Sequence, residues 1–95
     1  MNIRFYIDLE TGRPHVENHG VATSEAAQAF ERARQDYQAD RGARIAIGPT
    51  EVGRVLKVVY KRDEIPNSVF IITAYPVLGN ELKAYRRRKR RRGNM

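Results

Sequence analysis

Apolar and polar residues alternate at the start of the chain. Ile3, Phe5 and Ile7 fall on one side, and Asn2, Arg4 and Tyr6 on the other. A repeat of two is that of a strand with one buried face, so residues 2–8 are predicted to be a strand. Thr11-Gly12-Arg13-Pro14 ends it, since glycine and proline interrupt regular structure. Beyond a connector the period changes. Ala26, Ala27, Phe30, Ala33 and Tyr37 recur at three- and four-residue spacing, and Thr23 or Ser24 supplies a side-chain oxygen for an N-cap. The spacing predicts an amphipathic helix over 24–38, ended near Gly42.

Alternation returns in the second half. Ile45 and Ile47 mark a short strand over 43–48, and Pro49 to Gly53 a turn. Residues 54–62 are rich in valine, with Val55, Lys57, Val59 and Lys61 on one face and Arg54, Leu56, Val58 and Tyr60 on the other. Residues 68–75 are almost wholly apolar, as in a central strand covered on both faces. Short connections between these three strands predict an antiparallel meander. Pro76 stops the last strand, and residues 81–92 are strong helix formers with only Leu82 and Tyr85 as apolar anchors. The predicted class is α+β, in the order β-α-β-β-β-α. A four-stranded, mainly antiparallel sheet is packed by one or two helices, and Lys57 and Lys61 project from its partly open face. Residues 1–85 are expected to form a single domain, and 86–95 a basic tail or helix extension. A chain of 95 residues holds one core.

Composition narrows the function. No cysteine is present, which excludes a disulfide framework and thiolate zinc sites. The charged N-terminus lacks the apolar run of a signal peptide, and no apolar stretch approaches the ~20 residues of a membrane span. A cytoplasmic protein without a membrane partner is expected. The net charge of +7 equals the charge of residues 86–92 alone, because the remaining basic and acidic residues balance. A neutral body with a cationic arm points to a polyanion, RNA above all, or to an acidic protein surface. If all seven cations met single-stranded phosphates, log K would fall with log salt at a slope of about −5.

Several motifs carry a family resemblance. His19-Gly20-Val21 leads into a helix containing Glu25-Ala26. Arg44-Ile45-Ala46-Ile47-Gly48-Pro49-Thr50 precedes Gly53-Arg54-Val55-Leu56-Lys57-Val58-Val59-Tyr60, and Ile71-Ile72-Thr73-Ala74 precedes a basic C-terminal helix. Over residues 12–92 the chain resembles the BrnT family of bacterial toxins. That resemblance implies a RelE-like ribonuclease fold, cleavage of RNA, and a neutralising antitoxin of the ribbon-helix-helix kind. Two positions depart from the family pattern. Asn18 stands where a basic residue usually precedes the His-Gly-Val, and Tyr75 where an arginine often follows the Ser/Thr-Ala.

A ribonuclease working without metal needs a base for the 2′-hydroxyl, an acid for the leaving 5′-oxygen and cations for the phosphorane. His19 and His15 have the residue chemistry for proton transfer. Lys57 is a cation inside a valine-rich strand, and Tyr75, ending the central strand, can donate a proton or stack on a base. His19, Lys57 and Tyr75 are the candidate catalytic set. Arg44, Arg54, Lys61, Lys83, Arg86, Arg87, Arg88, Arg90 and Arg91 are candidate RNA-binding cations. His15 and His19 enclose Glu17, but no third metal ligand is evident, so neither metal nor cofactor is expected. The alternative is a non-catalytic RNA-binding module.

Overall fold

Why the β-branched stretches pair as they do follows from their alternation and short connections. In the computed structural model, which describes residues 1–93 and side chains as far as Arg88, they form the expected meander. β3 (Arg44–Pro49), β4 (Val55–Arg62) and β5 (Ser68–Pro76) pair antiparallel in sequence order. Between Val59 and Tyr60 the register slips, leaving Ile72 of β5 without an opposite residue. The N-terminal strand is shorter than its alternation suggests. β1 (Asn2–Phe5) lies at the outer edge of β5 and runs parallel to it, with Asn2 opposite Ser68 and Phe5 opposite Ile71.

The other edge corrects the sequence reading. The predicted helix over 24–38 ends early: α1 spans Thr23–Glu31 and β2 spans Gln35–Gln38. The described residues therefore form a five-stranded mixed sheet, in the order β1-β5-β4-β3-β2, instead of a four-stranded one. A bare β3 edge would leave a row of backbone donors and acceptors to water. The Arg34 N–H donates to the Ile47 carbonyl at 2.9 Å and starts the β2 ladder that covers it. Tyr37, whose spacing had extended the helical period, sits on this edge strand and is 44% exposed. Neither Thr23 nor Ser24 caps α1. The Ala22 N–H instead donates to the Glu25 carboxylate at 3.1 Å. Gly42 belongs to the turn between β2 and β3, where Arg41 and Gly42 take positive φ values of 58° and 79°.

The sheet has two unlike faces. On one, Ala26 and Ala29 of α1 pack against Ala46, Leu56, Val58, Tyr60 and Ile71, with Val16 and Val21 completing the cluster. The helix approaches β3 so closely that a Cβ on Gly48 would stand 2.4 Å from the Ala29 carbonyl oxygen and 2.7 Å from the Ala33 Cα. On the other face α2 (Gly79–Gly93) lays Leu82 and Tyr85 against Ile45, Ile47, Val55 and Val77. The second helix thus covers part of the face expected to be open. No helix among the described residues is long and apolar enough to cross a membrane.

Gly48→Ala must push α1 backbone off the sheet. It is expected to lower unfolding free energy by about 1–3 kcal/mol, read from the midpoint of urea denaturation; an unchanged midpoint would show that α1 does not seat on this glycine.

Candidate nucleic-acid interface

The face away from α1 is organised by where β1 stops. Beyond Phe5 the Tyr6 N–H donates to the Ile71 carbonyl at 2.8 Å, and the chain turns back through a bridge between Ile7 and Pro14. The His15 N–H then donates to the Tyr6 carbonyl at 2.9 Å. A short 3₁₀ segment, His15–His19, follows and packs against β5. Val16 anchors it in the core, and Gly20 closes it in the left-handed conformation at φ 70°, which glycine adopts without strain.

This arrangement brings the three candidate catalytic residues together. Lys57 stands opposite Tyr75 in the β4–β5 register, and its ammonium lies 5.9 Å from the centre of the Tyr75 ring. The His19 ring meets the same tyrosine edge-on, with centroids 5.8 Å apart. Residues from the 3₁₀ segment, β4 and β5 thereby share one small surface. Only 14% of the Lys57 side chain is exposed, and Glu81 of α2 forms a salt bridge with its ammonium. Burial pulls the Lys57 pKa down, but the hydrogen bond and charge of Glu81, helped by Tyr37 and Tyr75, outweigh it and raise the value above that of an ordinary lysine. Lys57 is therefore a fixed cation at neutral pH and not a proton acceptor.

The same surface continues away from Tyr75. His15 and His19 have ring centroids 5.6 Å apart, Tyr6 and His15 5.9 Å, and Tyr6 and Phe70 6.4 Å. The Arg4 guanidinium lies 5.2 Å over Phe70 and forms a 2.7 Å salt bridge with Asp63, which also accepts from the Ser68 hydroxyl. His15 Nδ1 is 3.4 Å from the Asp8 carboxylate, and the Asn18 amide donates to that carboxylate at 3.2 Å. The Glu10 N–H and then Asn18 hold the Asp8 carboxyl below its usual range. Asn18, the departure from the family pattern, is thus a bracket between Asp8 and His15.

Other candidates lie elsewhere. Arg54 donates to the Gly20 carbonyl at 3.1 Å and to Glu25 at 3.2 Å, tying the start of β4 to α1. Arg44 pairs with Asp36 at 2.9 Å. Asp36 also accepts from Tyr60, whose phenol is pushed up by burial and then by that carboxylate. By strand alternation these side chains belong to the α1 face, opposite Lys57. Lys61 is exposed beside Phe70. Lys83, Arg86 and Arg87 are exposed on α2, and Arg88 donates to Gln35 at 3.2 Å. Arg90 and Arg91 lie outside the residues with described side chains.

No family model matches the chain, and no curated protein is significantly similar to it. The sequence reading missed Arg4, Tyr6, Phe70 and Glu81 as members of this surface. Arg4 and Tyr6 do lie on the wet side of the first strand by alternation. Nothing in that alternation says that the strand will lie beside β5.

The raised Lys57 value carries a pH signature. While Glu81 is ionised, the raised Lys57 value contributes its full stability below the ordinary lysine pKa of about 10.5 and loses it as pH rises through the higher folded value. NMR titration of the Lys57 side chain is expected to give a midpoint above that of an ordinary lysine, and Glu81→Gln to lower it. An unmoved midpoint in the variant would show that Glu81 does not hold the ammonium.

Proposed function

We propose that the chain is a toxin-type endoribonuclease, BrnT-like in sequence and RelE-like in fold, that cleaves RNA in the cytoplasm without metal and is neutralised by an antitoxin protein. The observation that carries this reading is the meeting of His19, Tyr75 and Lys57 on one solvent-reaching surface beside a basic helix. Each has a role in the reaction. The RNA 2′-hydroxyl attacks the neighbouring phosphorus and the 5′-oxygen leaves, giving a 2′,3′-cyclic phosphate and a 5′-hydroxyl end. His19, exposed on this surface, takes the 2′-hydroxyl proton. The Tyr75 phenol donates its proton to the departing 5′-oxygen. Lys57, held as a cation, offsets the charge that builds on the phosphorane. The arginines of the C-terminal helix supply phosphate contacts or an acidic-partner contact away from the reacting bond.

A second reading has its own support. Glu81 already occupies the Lys57 ammonium, and Asn18 and Tyr75 stand where the resemblance has cations. A face with that neutralised cation suits a module that binds RNA without cutting it.

Purified protein incubated with total RNA in a chelator separates the two. The proposal expects fragments with 5′-hydroxyl ends, and a cleavage rate about 10²-fold or more lower for Lys57→Met. RNA left intact at every salt and pH, together with no growth arrest on expression, would overturn the nuclease; retained RNA affinity in the same samples would establish the binding module in its place.

A further inference from the structure

Five aromatic rings form an unbroken line on the surface away from α1, in the order Phe70, Tyr6, His15, His19, Tyr75. Each touches the next at a centroid distance between 5.6 and 6.4 Å. A cation closes each end, the Arg4 guanidinium over Phe70 and the Lys57 ammonium near Tyr75. Packing against the core does not require this: Tyr6 is 40% exposed, and His19 is exposed as well.

We propose that this line is a binding track for unpaired RNA, with bases stacked on the rings and phosphates drawn to exposed cations at its margin, Lys61 opposite Phe70 first among them. The inference rests on the reading of the chain as a protein that acts on RNA, and it adds the class of substrate: a strand whose bases are free.

The geometry selects that class in two ways. Every contact along the line is tilted or edge-on, with interplanar angles of 57° to 84°. In an edge-on pair the ring that supplies its edge keeps its own faces available to a flat ligand. The step from ring to ring is also well beyond the spacing of about 3.4 Å between neighbouring nucleotides in a stacked helix. A strand that follows the rings must be extended, with its bases parted from one another. A duplex cannot do this without melting, because its base faces are already stacked and its side chain-accessible edges lie in the grooves.

Charge favours the same ligand. Carboxylates next to the line are engaged: Asp63 with Arg4 and Ser68, Asp8 with Asn18 and the Glu10 N–H, Glu17 with Arg13, Glu81 with Lys57. Lys61, exposed beside Phe70, has no ion pair among the described residues. Exposed Lys83, Arg86 and Arg87 continue the positive charge along α2. Aromatic faces interleaved with cations are the usual means of holding single strands with little regard to sequence.

Binding of the full chain to a labelled 2′-O-methyl oligonucleotide tests the track apart from cleavage, since that strand has no 2′-proton to lose. Its partners in the comparison are an abasic strand of equal length and charge, and the same sequence as a duplex. The unpaired strand is expected to bind about tenfold or more tightly than either, Tyr6→Leu to lose most of that margin, and Tyr6→Phe to keep it. Equal affinity for the base-bearing and abasic strands would overturn the track and leave only attraction between charges. That comparison uses the wild-type chain, so it stands even if Tyr6→Leu folds poorly. Base-dependent binding here, with total RNA left intact in the cleavage assay, would support the track while removing the nuclease; cleavage of total RNA with base-independent binding here would do the reverse.

Discussion

The parallel pairing of β1 with β5 is the constraint on which the candidate site depends. It joins the first residues of the chain to a strand more than sixty residues later, from Asn2 opposite Ser68 to Phe5 opposite Ile71. Because β1 is short, it covers only the first half of β5. The remaining edge is taken by the His15–His19 segment, held there by the Tyr6–Ile71 and His15–Tyr6 backbone bonds and by Val16 in the core. A longer β1 would displace this segment, and His19 would not reach Tyr75. An antiparallel β1 would carry Tyr6 toward the other end of the strand and away from His15 and Phe70.

The two faces divide the remaining work. On the α1 face small residues allow close approach, with Gly48 beneath the helix backbone and Ala26, Ala29 and Ala46 around it. Arg44 and Arg54 serve that packing, each pinned to a carboxylate at the margin of the core. The opposite face has no such uniform cover. Its aliphatic part, Ile45, Ile47 and Val55, lies under α2. Its aromatic part lies beyond the helix, and Glu81 stands at the boundary with its carboxylate on Lys57. The position that starts α2 therefore also sets the charge of the candidate site.

Local patterning was legible where one element buries one face. The meander, the parity that set Lys57 apart from Arg54 and Tyr60, and the buried Tyr85 were all readable from the residues. The second strand was not. Gln35–Gln38 is polar and is held by backbone bonds to β3, whereas Tyr37 fell by chance on the helical period of Ala26, Phe30 and Ala33. Residue chemistry suggested His19, Lys57 and Tyr75 as a set, and folding brings them together. Arg4, Tyr6 and Phe70 stayed hidden because their meeting is a product of tertiary pairing, which short-range periodicity does not encode. Glu81 stayed hidden for the same reason, its partner being twenty-four residues away across a helix–sheet contact.

The central claim is that RNA is met on the sheet face opposite α1, and not by the arginine-rich terminus alone. NMR titration of the isotope-labelled chain with a short unpaired 2′-O-methyl oligonucleotide reads this most directly. The account predicts that resonances of Tyr6, His15, His19, Lys57, Phe70 and Tyr75 shift together and saturate at one stoichiometry. Shifts confined to α2 beyond Tyr85, or centred on Arg44 and Arg54 across the sheet, would contradict it.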